Sequence, residues 1–321
     1  MVLRSFASNQ PYTLIFAVAT ATAALLIPGA SKTPFETVGY ASEYLLHIDE
    51  AIGVYFYLTL IIIGGLLANR LFNQNEFMNT PVYTPALMYM MVTTTIGISQ
   101  AHLPCVVANI LVILGMGFQL KIFKQPSVLR EVVISSFLFG LAALIIPAMF
   151  TLLPALILGI LINRPFQLRE ITLAVTAFVV PLGYWAAMSY LFLDQPDYLL
   201  IHQTITLDTL QILSNMSWLS LVFSGLLILS MLLAFRQFMH SERNSNRAKS
   251  TRIITLIITL SLFGSFFFNA LITGKWLLQI IAFPVSFVIG YWFACYRYSV
   301  LAPMFFYAIC IVSLLLSFRI L

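Results

Sequence analysis

The sequence predicts an all-α, polytopic transmembrane protein of about eleven spans, and three observations predict it. Apolar runs of roughly 20 residues recur from end to end, the length that crosses a hydrocarbon core of about 30 Å. Only 8% of the 321 residues are charged and 61% are hydrophobic, whereas a soluble domain carries roughly 25% charged residues. Such a chain could not cover its own surface in water. The basic residues also fall on one side once the runs are threaded alternately through a bilayer. Barrel strands would instead read as short alternating segments with a polar inward face.

Taken in order, the first span runs from Pro11 to Pro28. Arg4 ahead of it and Gly29, Ala30 and Ser31 behind it give it the outline of a signal peptide,. With so many spans following, it is read as an uncleaved first helix. The second span covers Ala51 to Asn69, the third Val82 to Ile98 and the fourth Pro104 to Leu120. From Glu131 to Asn163 the apolar run is too long for one crossing and is interrupted by Pro147 and Pro154. Proline removes a backbone donor and clashes inside a helix, so two short spans meeting near Pro147 are expected. The remaining spans are Arg169 to Leu193, Trp218 to Phe235, Ile253 to Leu271, Trp276 to Phe293 and Val300 to Phe318.

Charge tests this threading. With the N-terminus cytoplasmic, 13 of the 16 lysines and arginines lie on the inner side, and only Lys32, Lys275 and Arg319 lie outside. That is the positive-inside pattern, and it accounts for the net charge of +5 without nucleic acid,. The acids sort the other way: Glu36, Glu43, Asp49, Glu50, Asp194, Asp197 and Asp208 fall outside. Acidic residues contribute little to topology, so the outer face is the expected seat of polar work. One transmembrane domain spans 1–321, with outer loops at about 29–50 and 194–215 and a basic cytoplasmic loop at about 237–252,. Both outer loops have apolar residues at spacings that suit interfacial helices. The basic loop, polar from His240 to Arg252, suits contact with anionic lipid,.

The chemistry-bearing residues gather outside. Asp49 and Glu50 stand just before the second span, with Glu43 and His47 in the same loop. A carboxylate there can serve as general base toward a hydroxyl acceptor, or bind a divalent metal together with His47. The plainer reading makes both acids partners of a helix N-terminus, worth about 0.3–1 kcal/mol each. His102, Asp194, Asp197 and His202 share that sidedness and could converge on the first loop, although no HxxxH or HExxH spacing occurs. Tyr40, Tyr44, Tyr55, Tyr57, Tyr184, Trp185, Tyr190, Tyr198, Trp218 and Trp276 fall near the outer half of the spans, as an interfacial belt or as the wall of a sugar- or lipid-binding cleft,. Phosphate-loop, dinucleotide and nucleophile-elbow motifs are absent,. Gly64–Gly65 and Gly115-x-Gly117 read as close helix packing, and Asn109 and Asn269 as interhelical hydrogen-bond partners,. Cys105, Cys295 and Cys310 stand singly, as small packing residues,.

The run from Val132 to Leu193 has two short proline-containing spans, a basic turn at Arg164 to Glu170 and a longer span. In this it resembles the middle of GT-C type membrane glycosyltransferases. The stretches SNQPY at Ser8, TPALMYMM at Thr84, RPFQLRE at Arg164 and AFPVSFVIGYWF at Ala282 also resemble a family of bacterial polytopic inner-membrane proteins that brings no activity with it. The GT-C resemblance implies a polyprenyl-phosphate-linked sugar as donor and an acid of the first outer loop as catalytic centre. Asp49 and Glu50 match that acid, and Glu43 less well. Lys275 beside Trp276 could meet a donor phosphate. The chain departs from that pattern in lacking a soluble outer domain and in having few outer cations to meet a pyrophosphate.

The expected function is therefore sugar transfer from a polyprenyl-phosphate carrier at the outer face of a bacterial inner membrane. The alternatives are a non-catalytic membrane subunit, assembled with protein partners as a cell-envelope scaffold, or a lipid or sugar transporter. Spans with almost no midplane charge argue against ion-coupled transport.

Overall fold

The computed structural model describes residues 50–75, 77–78, 81–99, 103–123, 125, 127–192, 218–239, 246–273, 277–295 and 301–318, with the single positions Ile15, Val18, Ala19 and Thr22. All regular structure among them is helical. In chain order these are α1 (Glu50–Gln74), α2 (Thr84–Ser99), α3 (Leu103–Lys121) and α4 (Leu129–Ile145). A 3-10 turn (Pro147–Thr151) leads into α5 (Leu152–Asn163), followed by α6 (Leu168–Phe192), α7 (Trp218–Met239) and α8 (Asn246–Thr273). A second 3-10 turn (Leu278–Ile281) opens α9 (Ala282–Ala294), and α10 is Leu301–Phe318.

Proline marks half of these starts. Pro85, Pro104, Pro154, Pro284 and Pro303 each fall within the first three residues of a helix, and Pro147 begins the first 3-10 turn. The first-turn N–H groups of a helix have no partner within it, so proline costs nothing there and supplies a helical φ. Pro181 is the exception, inside α6.

Four of the described helices are long and apolar enough to cross a membrane: Gly53–Gln74, Leu103–Lys121, Leu168–Leu191 and Asn246–Ala270. Pro147–Asn163, Val222–Phe238, Leu278–Ala294 and Leu301–Leu316 are shorter apolar segments. Successive helices alternate in direction, and hydrogen bonds between distant elements tie like ends together. At one pole the Thr95 and Ser313 hydroxyls meet at 2.5 Å. Toward the opposite pole Thr84 Oγ1 donates to the Gly290 carbonyl (3.0 Å) and Ser250 Oγ to Asn163 Oδ1 (2.6 Å). Every lysine and arginine among the described residues lies toward this second, basic pole.

The interior is organised around α9, whose thirteen residues are all buried. Its sequence, AFPVSFVIGYWFA, contains no charge and is apolar on every side, which suits a helix enclosed by others,. Gly290 lets the Pro85 backbone approach, since a Cβ there would stand 2.9 Å from Pro85 Cα. Toward the basic pole Phe72, Phe77, Phe238, Phe287 and Tyr291 form one ring cluster, with Phe72–Phe287 and Phe238–Tyr291 centroids 5.1 and 5.2 Å apart. Such edge-on pairs add about 0.5–1.5 kcal/mol beyond their buried area.

Two local expectations change. The split of the Glu131–Asn163 run near Pro147 holds, but the break is a 3-10 turn fastened to α8. There Thr151 Oγ1 donates to the Ser261 carbonyl (2.9 Å) and Ser261 Oγ to the Thr151 carbonyl (2.5 Å). The basic stretch expected as a loop over 237–252 is helical up to Met239 and again from Asn246. Its polar residues turn their bonding inward: Thr251 Oγ1 donates to the Arg247 carbonyl and Arg252 Nε to the Ala248 carbonyl, one turn back. The outer loops at 29–50 and 194–215 lie outside the described residues except for Glu50, the first residue of α1.

Candidate functional site

Of the residues singled out from sequence, Asp49, Glu43, His47, His102, Asp194, Asp197, His202, Lys275 and Trp276 lie outside the described residues. Glu50 begins α1. What the structure supplies is the layer beneath that position.

Tyr57 lies seven residues along α1, about 10 Å from Glu50 at 1.5 Å per residue, and it is buried. Its hydroxyl accepts a hydrogen bond from Gln279 Nε2 (2.5 Å), and the Gln279 carbonyl accepts one from Asn109 Nδ2 (2.6 Å). Gln279 sits in the second 3-10 turn and Asn109 on α3, so one chain of bonds joins three elements. Asn109 and Gln279 are both 0% exposed. A hydrocarbon interior offers such groups no water, so they must find protein partners. Asn109 finds one through Nδ2, while among the described residues its buried Oδ1 has no hydrogen-bond partner. Cys105, one turn before Asn109, and Tyr89 and Thr93 on α2 are buried as well. A Cβ on Gly64 would come within 2.8 Å of the Tyr89 hydroxyl, so glycine is what admits that ring.

Beside this layer is an apolar crevice of about 90 Å³, lined by residues that include Ile96, Phe223, Leu227, Phe266, Leu278 and Ala282. Leu278 immediately precedes Gln279, so the crevice wall and the polar layer share the 3-10 turn. Exposed Ile228 and Phe267 also line it and open it to the outside of the bundle.

Chemically the layer offers neutral hydrogen bonding: an amide oxygen, amide N–H groups and hydroxyls, without a carboxylate. Among the described residues no three His, Cys, Asp or Glu side chains gather in a metal-binding group. The interhelical role expected for Asn109 holds, and Asn269 is buried. Tyr57 does not join the aromatic belt with which sequence grouped it, whereas Tyr55, Tyr184, Tyr190 and Trp218 are exposed. Gln279 was missed. Its signal was a lone amide in the apolar run WLLQIIAF, which in a membrane span calls for a partner on another helix.

No protein-family model matches the chain, and no curated protein or solved structure is significantly similar to it.

Proposed function

We infer that the chain is a GT-C-like polytopic protein of a bacterial inner membrane, of about eleven spans with a cytoplasmic N-terminus. It transfers a sugar from a polyprenyl-phosphate carrier at the outer face. The observation that carries this reading is the buried polar layer of Tyr57, Gln279 and Asn109, about 10 Å below the start of α1 at Glu50,. An unpartnered amide oxygen there can accept a bond from a hydroxyl-rich substrate. The adjoining apolar crevice suits a substrate that arrives on a lipid. In this reading Asp49 is the base or the ligand of a divalent metal, and Glu50 assists it. His102, Asp194 and His202 support the site, and Lys275 with Trp276 meets the donor.

The scaffold reading draws on a different observation. Only 22% of the apolar window of α6 is buried, against 67% for α3, which leaves α6 a long face for a partner helix.

Complementation by Asp49→Asn, Glu50→Gln and the double variant, with membrane abundance measured alongside, separates the two. Sugar transfer predicts loss of function at normal abundance. Full complementation by the double variant would sink the catalytic proposal and favour a subunit that co-purifies with a partner.

A further inference from the structure

The turn between α5 and α6 and the start of α8 are far apart in sequence but adjoin at the basic pole, fastened by the Ser250 Oγ to Asn163 Oδ1 bond of 2.6 Å. We propose that together they form a site for the headgroup of an anionic phospholipid. This rests on the reading of the chain as a membrane protein and not on sugar transfer.

The acid of this turn is already paired with a cation through one oxygen. Arg164 Nη1 lies 2.8 Å from Glu170 Oε1, and Glu170 is 3% exposed with Oε2 buried and unpartnered. The carboxylate is thus enclosed, its charge met by Arg164, and it does not screen the surface outside. On that surface Arg169, Arg247 and Lys249 are exposed. Phe166 and Leu168, on either side of Gln167, are 68% and 66% exposed. Apolar side chains flanked by cations at the end of a membrane helix suit the boundary between acyl chains and headgroups, where Phe166 and Leu168 enter the lipid and the cations meet phosphate,. The N-terminal ends of α6 and α8 both stand at this pole, where the helix dipoles add favourable positive partial charge,. Arg252, buried and bonded through Nε to the Ala248 carbonyl, holds the start of α8 in place. A cluster of this kind at the cytoplasmic surface selects anionic over zwitterionic lipid. Sequence alone assigned lipid contact to the α7–α8 connection; the fold adds the α5–α6 turn, which supplies the apolar anchors.

The test is the unfolding midpoint of the purified full-length protein in mixed micelles containing phosphatidylglycerol, phosphatidylcholine or inorganic phosphate. Phosphatidylglycerol should raise the midpoint, the rise should shrink with salt, and phosphatidylcholine and free phosphate should not reproduce it. Arg169→Gln combined with Arg247→Gln and Lys249→Gln should lose the rise while keeping the phosphatidylcholine midpoint. Should the triple variant fail to fold, each single substitution should still diminish the rise. Arg70→Gln, a cation of the same pole outside this cluster, should leave it intact. An equal loss from Arg70→Gln would mean a diffuse effect of pole charge and overturn the site. So would an undiminished rise in the cluster variants. A rise given equally by inorganic phosphate would make it a free-anion site and overturn the lipid assignment. None of these outcomes touches the outer carboxylates, so this proposal and the sugar-transfer reading fail separately.

Discussion

Asn109 uses one end of its amide and leaves the other idle. Its Nδ2 holds the Gln279 carbonyl while Oδ1 is buried without a partner. Interhelical polar bonds in membranes average about 0.6 kcal/mol, and an unsatisfied buried acceptor costs about 1–3 kcal/mol. Asn109→Leu, close in volume, should therefore unfold within about 1 kcal/mol of the parent yet lose activity if the layer receives substrate. Thermal unfolding together with complementation checks both halves; retained activity would reduce Asn109 to packing. Gly140 poses a steric test. A Cβ there would stand 2.2 Å from the Phe178 carbonyl oxygen, backbone that cannot swing away. Gly140→Ala should cost about 1–3 kcal/mol as α4 and α6 are pushed apart. Gly183→Ala on α6 meets nothing within 4 Å and should be neutral or gain up to about 1 kcal/mol of helix propensity. Unfolding midpoints in detergent rank the two, and equal effects would refute the packing argument. Close packing was legible at Gly64, Gly65 and Gly115, but Gly117 has only Leu71 at an ordinary 3.5 Å. A glycine in an apolar run signals close approach only once the facing residue is known.

Among elements, the two 3-10 turns break the helical pattern, and both are anchored by side-chain hydrogen bonds to distant segments. Thr151 bonds to both the carbonyl of Ser261 and the hydroxyl of Ser265, and Ser261 bonds back to the Thr151 carbonyl. Thr151→Val and Ser261→Ala should each lower stability, and their double-mutant cycle should show coupling of about 0.6–1.7 kcal/mol. Strict additivity would mean that the turn is held by packing alone. Sequence placed the break at Pro147 because proline cannot continue a helix. It did not reveal what seizes the broken end, since Ser261 and Ser265 read as ordinary small residues of a distant span. The helical extension of α8 back to Asn246 was missed for a similar reason. Its polar residues look loop-like until the contact with Asn163 is known.

At the scale of the whole molecule, alternation of the helices puts Tyr190, near the end of α6, and Phe166, just before its start, at opposite poles. Both are exposed. In a background with Cys105, Cys295 and Cys310 replaced, Tyr190→Cys should react with a membrane-impermeant thiol reagent on right-side-out vesicles. Phe166→Cys should react only after permeabilisation. Labelling of both from one side would refute the threading.

Residue order alone indicates a helical chain, the start of most helices, and the gathering of most basic residues at one end. Those properties are local or compositional: apolar run length, proline in a first turn, and the sign of the charge between runs. Which polar groups meet is set by how the helices pack against one another. Tyr57 and Gln279 are joined across 222 residues and Asn163 and Ser250 across 87. Such pairings depend on which helix faces are turned together, and in an almost uniformly apolar chain neither hydrophobic period nor spacing distinguishes one face from another.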